Sequence, residues 1–254
     1  MIDLHCHVLH EIDDGAQSLT DAIQLCMLAN ENGVEKIVLT PHLKNVTEID
    51  EFLEVRNEKF QQLQTEIDKR KINIEIFPGA EVYVNDDIFY STNLDKVTIN
   101  SSKYILIEFD FFGLTVERIC SYLDEIEKSD LIPIIAHPER YEYFQKDYFK
   151  INYLLSERDV YFQINAGSLA GFGTREEFEL AYQMVKNNVA SFIGTDAHSI
   201  RGRANDLLRM TYFFPPDIEH RSLDYMVNVA PEAVINNEKL PPIRRGRLQR
   251  ARWF

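Results

Sequence analysis

Short apolar runs and amphipathic segments alternate along most of the chain. Apolar runs of about four to eight residues are typical of buried strands, and apolar positions three or four residues apart are typical of helices with one buried face. The predicted strands are residues 1–7, 37–40, 72–77, 104–108, 131–136, 160–165 and 190–194. The predicted helices are 18–31, 48–71, 116–128, 148–156 and 176–187, and residues 86–102 are predicted as an irregular loop.

Strand-then-helix units follow one another without an intervening linker. Such repeats produce parallel strands with right-handed crossovers. The length of 254 residues and the 45% hydrophobic content suffice for one large core, and single α/β barrels commonly have this size. We therefore predict one α/β barrel domain over residues 1–254, with a basic and aromatic C-terminal tail at 241–254.

Histidines and carboxylates stand at or after the ends of most predicted strands. His5 and His7 are two residues apart on one strand, so their side chains share a face. In α/β barrels the active site lies at the carboxyl ends of the strands, which is where the other candidates fall. The candidate metal ligands are His5, His7, Asp14, His42, Glu81, Glu108, His137, Asp196 and His198.

This ligand set contains nitrogen and oxygen donors and no thiolate. One divalent ion rarely takes more than about six ligands, so nine candidates suit two or three ions. Mixed imidazole and carboxylate ligands favour manganese, iron or zinc over calcium or magnesium. Two ions that share a carboxylate can hold a hydroxide nucleophile, and such sites hydrolyse phosphate esters or amides.

Two arginines near the candidate ligands bear on the choice between these substrates. Arg140 follows His137 by three residues and Arg203 follows His198 by five. Guanidinium groups bind phosphate oxygens in a forked geometry, so arginines facing the site favour phosphoryl transfer. Ion pairs at the surface are an equal alternative. Tyr141 and its aromatic neighbours, Tyr143 and Phe144, either line the mouth or pack within their loop.

Charge and cysteine content exclude several classes of function. The net charge of −14 argues against a general nucleic-acid partner. Three cysteines without a Cys-x-x-Cys spacing indicate neither a disulfide framework nor a zinc knuckle. No apolar run approaches a membrane span, and the strand pattern starts at Met1, so we expect a cytoplasmic protein. The arginines of the tail are interpreted as a solvated basic segment, with a docking segment as the alternative.

Several motifs, in this order, resemble those of the polymerase-and-histidinol-phosphatase (PHP) superfamily, most closely its branch of bacterial CpsB/CapC-type protein-tyrosine phosphatases. The resemblance runs from Met1 to about Asn237. The matching motifs are Asp3-Leu4-His5-Cys6-His7, Ile12-Asp13-Asp14-Gly15-Ala16, Thr40-Pro41-His42, Pro78-Gly79-Ala80-Glu81, Tyr104-Ile105-Leu106-Ile107-Glu108-Phe109, Ile135-Ala136-His137-Pro138-Glu139-Arg140 and Thr195-Asp196-Ala197-His198.

The resemblance implies a distorted TIM-like (β/α)7 barrel of the PHP type with a trinuclear site. The metal is usually manganese in this family, with iron, zinc or magnesium as alternatives. The implied ligand sets are His5, His7, Glu81 and Asp196 for one ion, Glu81, Glu108 and His137 for a second, and Asp14, His42 and His198 for a third. Asp13 in place of Asp14 is the alternative. Arg140 and Arg203 would bind the phosphate.

The implied activity is hydrolysis of phosphotyrosine on a bacterial tyrosine autokinase that regulates capsular or exopolysaccharide synthesis. The main alternative is a PHP-type phosphatase of a small metabolite such as histidinol phosphate, since it would use the same ligands. A nuclease is weakened by the acidic charge, and a metal amidohydrolase or a regulatory scaffold with a degenerate site are further alternatives. The sequence leaves a homo-oligomer open.

Overall fold

The computed structural model describes residues 1–200, 207 and 218–249. Its strands pair in parallel, in the order β1-β2-β4 in a three-stranded sheet and β3-β5-β6-β7-β8-β9 in a six-stranded sheet. The strands are β1 Ile2–Cys6, β2 Lys36–Leu39, β3 His42–Leu43, β4 Glu75–Pro78, β5 Glu81–Tyr83, β6 Tyr104–Glu108, β7 Ile132–Ala136, β8 Tyr161–Asn165 and β9 Phe192–Gly194. The α/β prediction is confirmed.

Backbone hydrogen bonds join the two sheets at both of their junctions. Two chain segments pass from the small sheet to the large one, and the amide of Gly79 donates to Leu39 at 2.9 Å while that of Glu81 donates to Pro41 at 3.0 Å. At the other junction, the amide of Asp196 donates to His5 and that of His7 donates to Ala197, both at 2.8 Å. The strands thus belong to two joined sheets and not to one continuous sheet.

The helices cover the sheets, and several begin at the polar residues that predict a helix start. Ser18 accepts a hydrogen bond from the amide of Asp21 at 3.1 Å, and Thr174 and Glu177 form a reciprocal capping box. A π-helical turn, Tyr225–Val229, joins the last two helices. The helices are α1 Leu19–Glu31, α2 Ile49–Arg70, α3 Val116–Lys128, α4 Glu142–Lys146, α5 Phe149–Glu157, α6 Ala166–Leu169, α7 Arg175–Lys186, α8 His220–Asp224 and α9 Ala230–Ile235.

The structure departs from the predicted elements in several places, among them the short strands β3 and β5 and the short helices α4 and α6, which were not predicted. The strand predicted at 72–77 begins at Glu75, because Lys71 adopts a left-handed φ of 56° and the amide of Ile72 donates to Ile67 at 3.1 Å, which ends α2. The loop predicted at 86–102 contains three short 3-10 helices. The helical segment at 220–235 was not predicted.

The core is formed by the apolar residues of the strands and the inner faces of the helices. Leu4, Leu39, Ile107 and Ile135 are fully buried strand residues, and burial of such side chains is the main favourable term in folding. Among the described helices, none has the length and apolar character needed to cross a membrane.

The described part of the C-terminal tail packs against the body of the protein. The amide of Gly246 donates to the carbonyl of Asn187 at 2.6 Å. The side chain of Asn152 donates to the Leu248 carbonyl at 3.0 Å and accepts from the Leu248 amide at 2.9 Å. Residues up to 249 are therefore anchored to the body of the protein at Gly246 and Leu248, while Arg244 and Arg247 of the same segment are exposed. The remaining tail residues, 250–254, lie outside the described residues.

The contribution of the core can be tested on α1. Leu25 is fully buried, whereas Met27 on the same helix is 42% exposed. We expect Leu25→Ala to lower the free energy of unfolding by about 2–5 kcal/mol, because it removes buried apolar contacts and leaves a cavity. Met27→Ala should change it by about 0.5 kcal/mol or less. Urea unfolding of both variants measures the difference, and equal losses would contradict this packing of α1.

Candidate metal centre

The structure brings all nine candidate ligands into one cluster at the carboxyl ends of the strands. His5 lies in β1 and His7 just after it, His42 begins β3, Glu81 begins β5, and Glu108 ends β6. The remaining ligand candidates follow strands or stand in the turn after His7: Asp14, His137, Asp196 and His198. Residues distant in sequence meet here because parallel strands end at the same edge.

The carboxylate of Glu81 lies at the centre of this cluster and is fully buried. Its Oε2 atom lies 3.2 Å from Nε2 of His5, 3.1 Å from Nε2 of His7 and 3.1 Å from Nδ1 of His42. Its Oε1 atom lies 2.9 Å from Nε2 of His137. Glu81 is thus the ligand candidate shared by most of the histidines.

Asp14 and His198 extend the cluster on one side, and Glu108 extends it on another. Asp14 Oδ1 lies 3.6 Å from Nε2 of His42 and 3.5 Å from Nε2 of His198. Glu108 Oε1 lies 3.4 Å from Nε2 of His137. Asp196 Oδ1 lies 3.7 Å from Nε2 of His5.

The electrostatics of the cluster shift several pKa values strongly. Burial raises the pKa of Glu81, but the charge of His5 and a hydrogen bond from His137 outweigh it and hold that pKa well below its usual range. Burial lowers the pKa of His7, but Asp13 and Glu81 raise it to about 10. The pKa of His5 is raised in the same way by Glu81, against its burial. Glu81 is therefore ionised beside His5 and His7, whose pKa values are raised.

The donor set fits divalent cations. Three groups have ligand atoms that lie within 4.8 Å of one another: His7, Asp14, His42 and His198; His5, His7 and Glu81; and His42, Glu81 and Glu108. Glu81 Oε2 is buried and accepts no well-directed hydrogen bond from the described residues, although three ring nitrogens surround it. A buried carboxylate oxygen beside several imidazole nitrogens is a donor set that would hold divalent cations.

Gln163 orients His5, and the sequence analysis did not single it out. Its Nε2 donates to the carbonyl of Ile164 at 2.7 Å and to Oδ1 of Asn165 at 3.0 Å. Its Oε1 therefore faces Nδ1 of His5, at 2.7 Å, and accepts a hydrogen bond from that nitrogen. This tautomer leaves Nε2 of His5 as the atom that can bind a cation.

Asp13 orients His7 and does not take the position of a ligand. Its Oδ2 accepts from Nδ1 of His7 at 2.8 Å and from the amide of His42 at 2.9 Å. Its Oδ1 accepts from the amide of Gly15 at 2.8 Å. The turn fits only because residue 15 is glycine, since a Cβ there would lie 2.1 Å from the carbonyl oxygen of His7.

Asp3 connects β1 to the loop that carries Asp196 and His198. Its buried carboxylate accepts from the amide of Thr195 at 3.0 Å and from the hydroxyl of Thr195 at 2.5 Å. Asp196 itself adopts a positive φ of 52°, which is a strained conformation for a residue with a Cβ. Asn165 donates to Asp196 Oδ2 at 2.8 Å and fixes its carboxylate.

The sequence of β8 contains a pattern that points to Gln163 and Asn165. Gln163 and Asn165 are amides two residues apart in an otherwise apolar strand, so they share a face. Both are buried, and buried amides require hydrogen-bond partners. That alternation could have identified them as supports of a polar site.

Arg140 faces the cluster, as the phosphate interpretation requires. Its Nη1 lies 3.5 Å from Asp196 Oδ2, and its side chain is 32% exposed. Tyr141, Tyr143 and Phe144 are buried, which supports their interpretation as loop packing and removes them from the mouth. Arg203 lies outside the described residues.

One protein family and several known proteins are similar to this chain. A model of the family described as "Capsular polysaccharide synthesis, CpsB/CapC" matches residues 1–236. The tyrosine-protein phosphatase YwqE of Bacillus subtilis is 30% identical over 260 residues, which cover 98% of each chain. The tyrosine-protein phosphatase CpsB of Streptococcus agalactiae is 27% identical over 207 residues, covering 79% of this chain and 84% of the relative.

One solved structure is similar over nearly the whole chain. It belongs to a study of YwqE from Bacillus subtilis and CpsB from Streptococcus pneumoniae, described as "unique metal-dependent tyrosine phosphatases". The TM-score is 0.82 at 27% identity, and the match covers 98% of this chain and 100% of the other.

Metal binding should release protons. His7, with a pKa raised to about 10, carries a proton at neutral pH that a cation must displace. We expect the apparent metal affinity to increase with pH between 7 and about 9, and the binding enthalpy to depend on the ionisation enthalpy of the buffer. Calorimetric titration of manganese into metal-free protein in phosphate-free buffers measures both. An enthalpy that is the same in every buffer would contradict protonated imidazoles in the cluster.

Asp13→Asn should weaken metal binding by about 10- to 100-fold, because the amide cannot accept from His7, His42 and Gly15 at once. Glu11→Gln is the matched control in the same turn, since Glu11 is exposed and pairs with Lys59 at 2.8 Å. Manganese titration of both variants measures the effect. Equal affinities in the two variants would remove Asp13 from its supporting role.

Proposed function

The chain belongs to the CpsB/CapC family of capsular polysaccharide synthesis proteins, and from this premise we propose that it is a metal-dependent protein-tyrosine phosphatase. The observation that carries the proposal is the cluster of four imidazoles around the buried Glu81 carboxylate, with Arg140 beside it. A cluster of this kind suits hydrolysis of a phosphate ester, and the relatives named tyrosine-protein phosphatases indicate the type of ester.

Two or three divalent ions are the proposed cofactors, with manganese first and iron, zinc or magnesium as alternatives. When bound, they supply an activated water and neutralise charge on the phosphoryl group. The proposed ligand sets are His5, His7, Glu81 and Asp196; Glu81, Glu108 and His137; and Asp14, His42 and His198. The short distances within each set support this assignment.

Arg140 is the proposed phosphate-binding residue. A guanidinium carries five N–H donors in a planar fork that matches phosphate oxygens. Nη1 lies at a long 3.5 Å from Asp196, and no other described residue accepts a hydrogen bond from this guanidinium, so we propose that its remaining donors bind a phosphoryl group. Donors fixed in advance stabilise the charge that develops during transfer. We propose Arg203, which lies outside the described residues, as the second phosphate ligand.

The leaving group fits a site without a strong general acid. The phenol of tyrosine has a pKa of about 10, so it departs as phenolate more readily than the alkoxide of serine would. Residues of this chain then have three tasks, namely to orient the ligand imidazoles, to hold the phosphoryl oxygens and to exclude bulk water from the buried carboxylates. Asp13 and Gln163 perform the first of these, and Asn165 fixes the Asp196 carboxylate in the same way.

We propose that the two joined sheets form a distorted TIM-like (β/α)7 barrel of the PHP type and that residues 1–254 are one phosphatase domain. The support is the backbone hydrogen bonding at both junctions of the sheets. Each broken strand, β2 with β3 and β4 with β5, then counts as one of seven positions.

The proposed substrate is phosphotyrosine on a bacterial tyrosine kinase that controls capsular or exopolysaccharide synthesis. The family description names capsular polysaccharide synthesis, which supports this partner. A kinase of this kind presents its phosphotyrosines in the cytoplasm, so we propose a cytoplasmic location. A homo-oligomer is compatible with this role.

Hydrolysis of a phosphotyrosine peptide by metal-stripped protein, with and without added manganese, tests the function. We expect manganese-dependent phosphate release that His5→Ala abolishes and Arg140→Ala reduces by about 100- to 1,000-fold in kcat/KM. Arg70→Ala is the matched control, because Arg70 is exposed, pairs with Glu66 and ends α2 ahead of β4, at the opposite edge of the sheet from the cluster.

A phosphoserine peptide and histidinol phosphate run beside the phosphotyrosine peptide in the same assay. Preferential turnover of histidinol phosphate would reassign the chain to metabolite hydrolysis and retain the metal site. No turnover of any phosphate ester by metal-loaded protein would overturn the phosphatase proposal.

A further inference from the structure

The loop after β6 places an aromatic ring directly on the candidate phosphate-binding arginine. The guanidinium carbon of Arg140 lies 4.7 Å from the centroid of the Phe111 ring. The same ring lies 5.8 Å from the ring of His137. Phe111 therefore stands between a candidate metal ligand and the candidate phosphate ligand.

Other contacts hold Arg140 only weakly. Among the described residues, Asp196 accepts its hydrogen bond, at 3.5 Å, which is at the outer limit for such a bond. Asp196 Oδ2 already accepts from Asn165 at the shorter distance of 2.8 Å. Because the side chain is also one-third exposed, the ion pair alone does not fix the guanidinium plane.

The Phe111 ring, in contrast, is held firmly. The Phe111 carbonyl accepts from the amide of Glu142 at 3.0 Å. Two residues earlier, the amide of Phe109 donates to the hydroxyl of Tyr141 at 3.0 Å. The ring itself packs 5.7 Å from the ring of Tyr141 and is half-buried against the core. A fixed ring of this kind can restrain a mobile guanidinium.

We propose that Phe111 is a positioning residue that holds the Arg140 guanidinium by cation–π stacking, so that its in-plane N–H donors point at the phosphoryl oxygens. Stacking occupies the face of the guanidinium and leaves its edge free, and the edge is where phosphate binds. The inference rests on the proposed function insofar as Arg140 binds phosphate. Phe111 is neither a candidate metal ligand nor one of the two candidate phosphate-binding arginines.

The test distinguishes cation–π stacking on an aromatic ring from the packing that any apolar side chain of similar size would provide. Phe111→Leu keeps an apolar side chain but removes the face, whereas Phe111→Tyr keeps the face. We expect Phe111→Leu to weaken binding of inorganic phosphate to the metal-loaded protein, and to raise KM for a phosphotyrosine peptide, by about 3- to 30-fold. Phe111→Tyr should restore both values to within about twofold. Phe149→Leu, at a Phe on α5 that is 57% exposed, is the matched control.

A double-variant cycle shows whether the effect passes through Arg140. In an Arg140→Ala background, Phe111→Leu should cause no further loss of phosphate affinity. An undiminished loss in that background, unchanged phosphate affinity in Phe111→Leu, or no rescue by Phe111→Tyr would each overturn the proposal.

Phosphate affinity is measured by calorimetry and thermal unfolding is recorded for each variant, so a folding defect is recognised directly. The calorimetry does not depend on turnover. Failure of the wild type to hydrolyse phosphotyrosine would therefore reject the proposed function, while the phosphate titrations would still decide the role of Phe111.

Discussion

The buried Glu81 carboxylate and the imidazoles that converge on it are the constraint on which the site depends. An ionised carboxylate in a protein interior is strongly unfavourable unless opposite charges or hydrogen-bond donors surround it. Here ring nitrogens of four histidines, two at the end of β1, one from the start of β3 and one after β7, lie within 3.2 Å of its oxygens. The charge balance of the site therefore depends on the order of the parallel strands. A displaced strand would remove an imidazole from this carboxylate and leave its charge unpaired.

Supporting residues transmit that requirement to the backbone. Asp3 joins β1 to the loop after β9 through Thr195, and Asp13 joins the turn after β1 to the start of β3. Each therefore closes a junction between strands and also places a histidine or carboxylate. Positive φ values at His137 and Asp196 are consistent with backbone strain held at a functional site by such contacts. Stability and ligand geometry are consequently coupled in this fold.

Sequence periodicity predicted β6 and α3 with the bounds that the structure shows. The nine candidate ligands lie close together in the structure, and their role in metal binding stays a prediction. These successes have one cause, since apolar strands followed at once by a histidine or carboxylate are local patterns. Gln163 was missed because its role arises from a contact with His5, 158 residues away. Phe111 was missed because the aromatic residues next to Arg140 in sequence are Tyr141, Tyr143 and Phe144, whereas Phe111 is close to Arg140 only in the folded chain. The end of α2 was missed because a left-handed Lys71 has no strong sequence signal.

Exposure across the cluster defines the side from which a phosphate ester enters. Glu81 and His5 are fully buried, Glu108 and His42 have side chains 13% and 17% exposed, and Asp14 reaches 64%. The side chain of Arg140 is 32% exposed, so it belongs to the more exposed part of the cluster. A phosphoryl group entering from solvent would therefore meet Arg140 and Asp14 before the buried carboxylates. An arginine in that position gains most from being fixed in advance, because its orientation determines how the phosphorus is presented to the cluster. The loop after β6, which carries Phe111, is thus as much a part of the candidate site as the strands that carry the ligands.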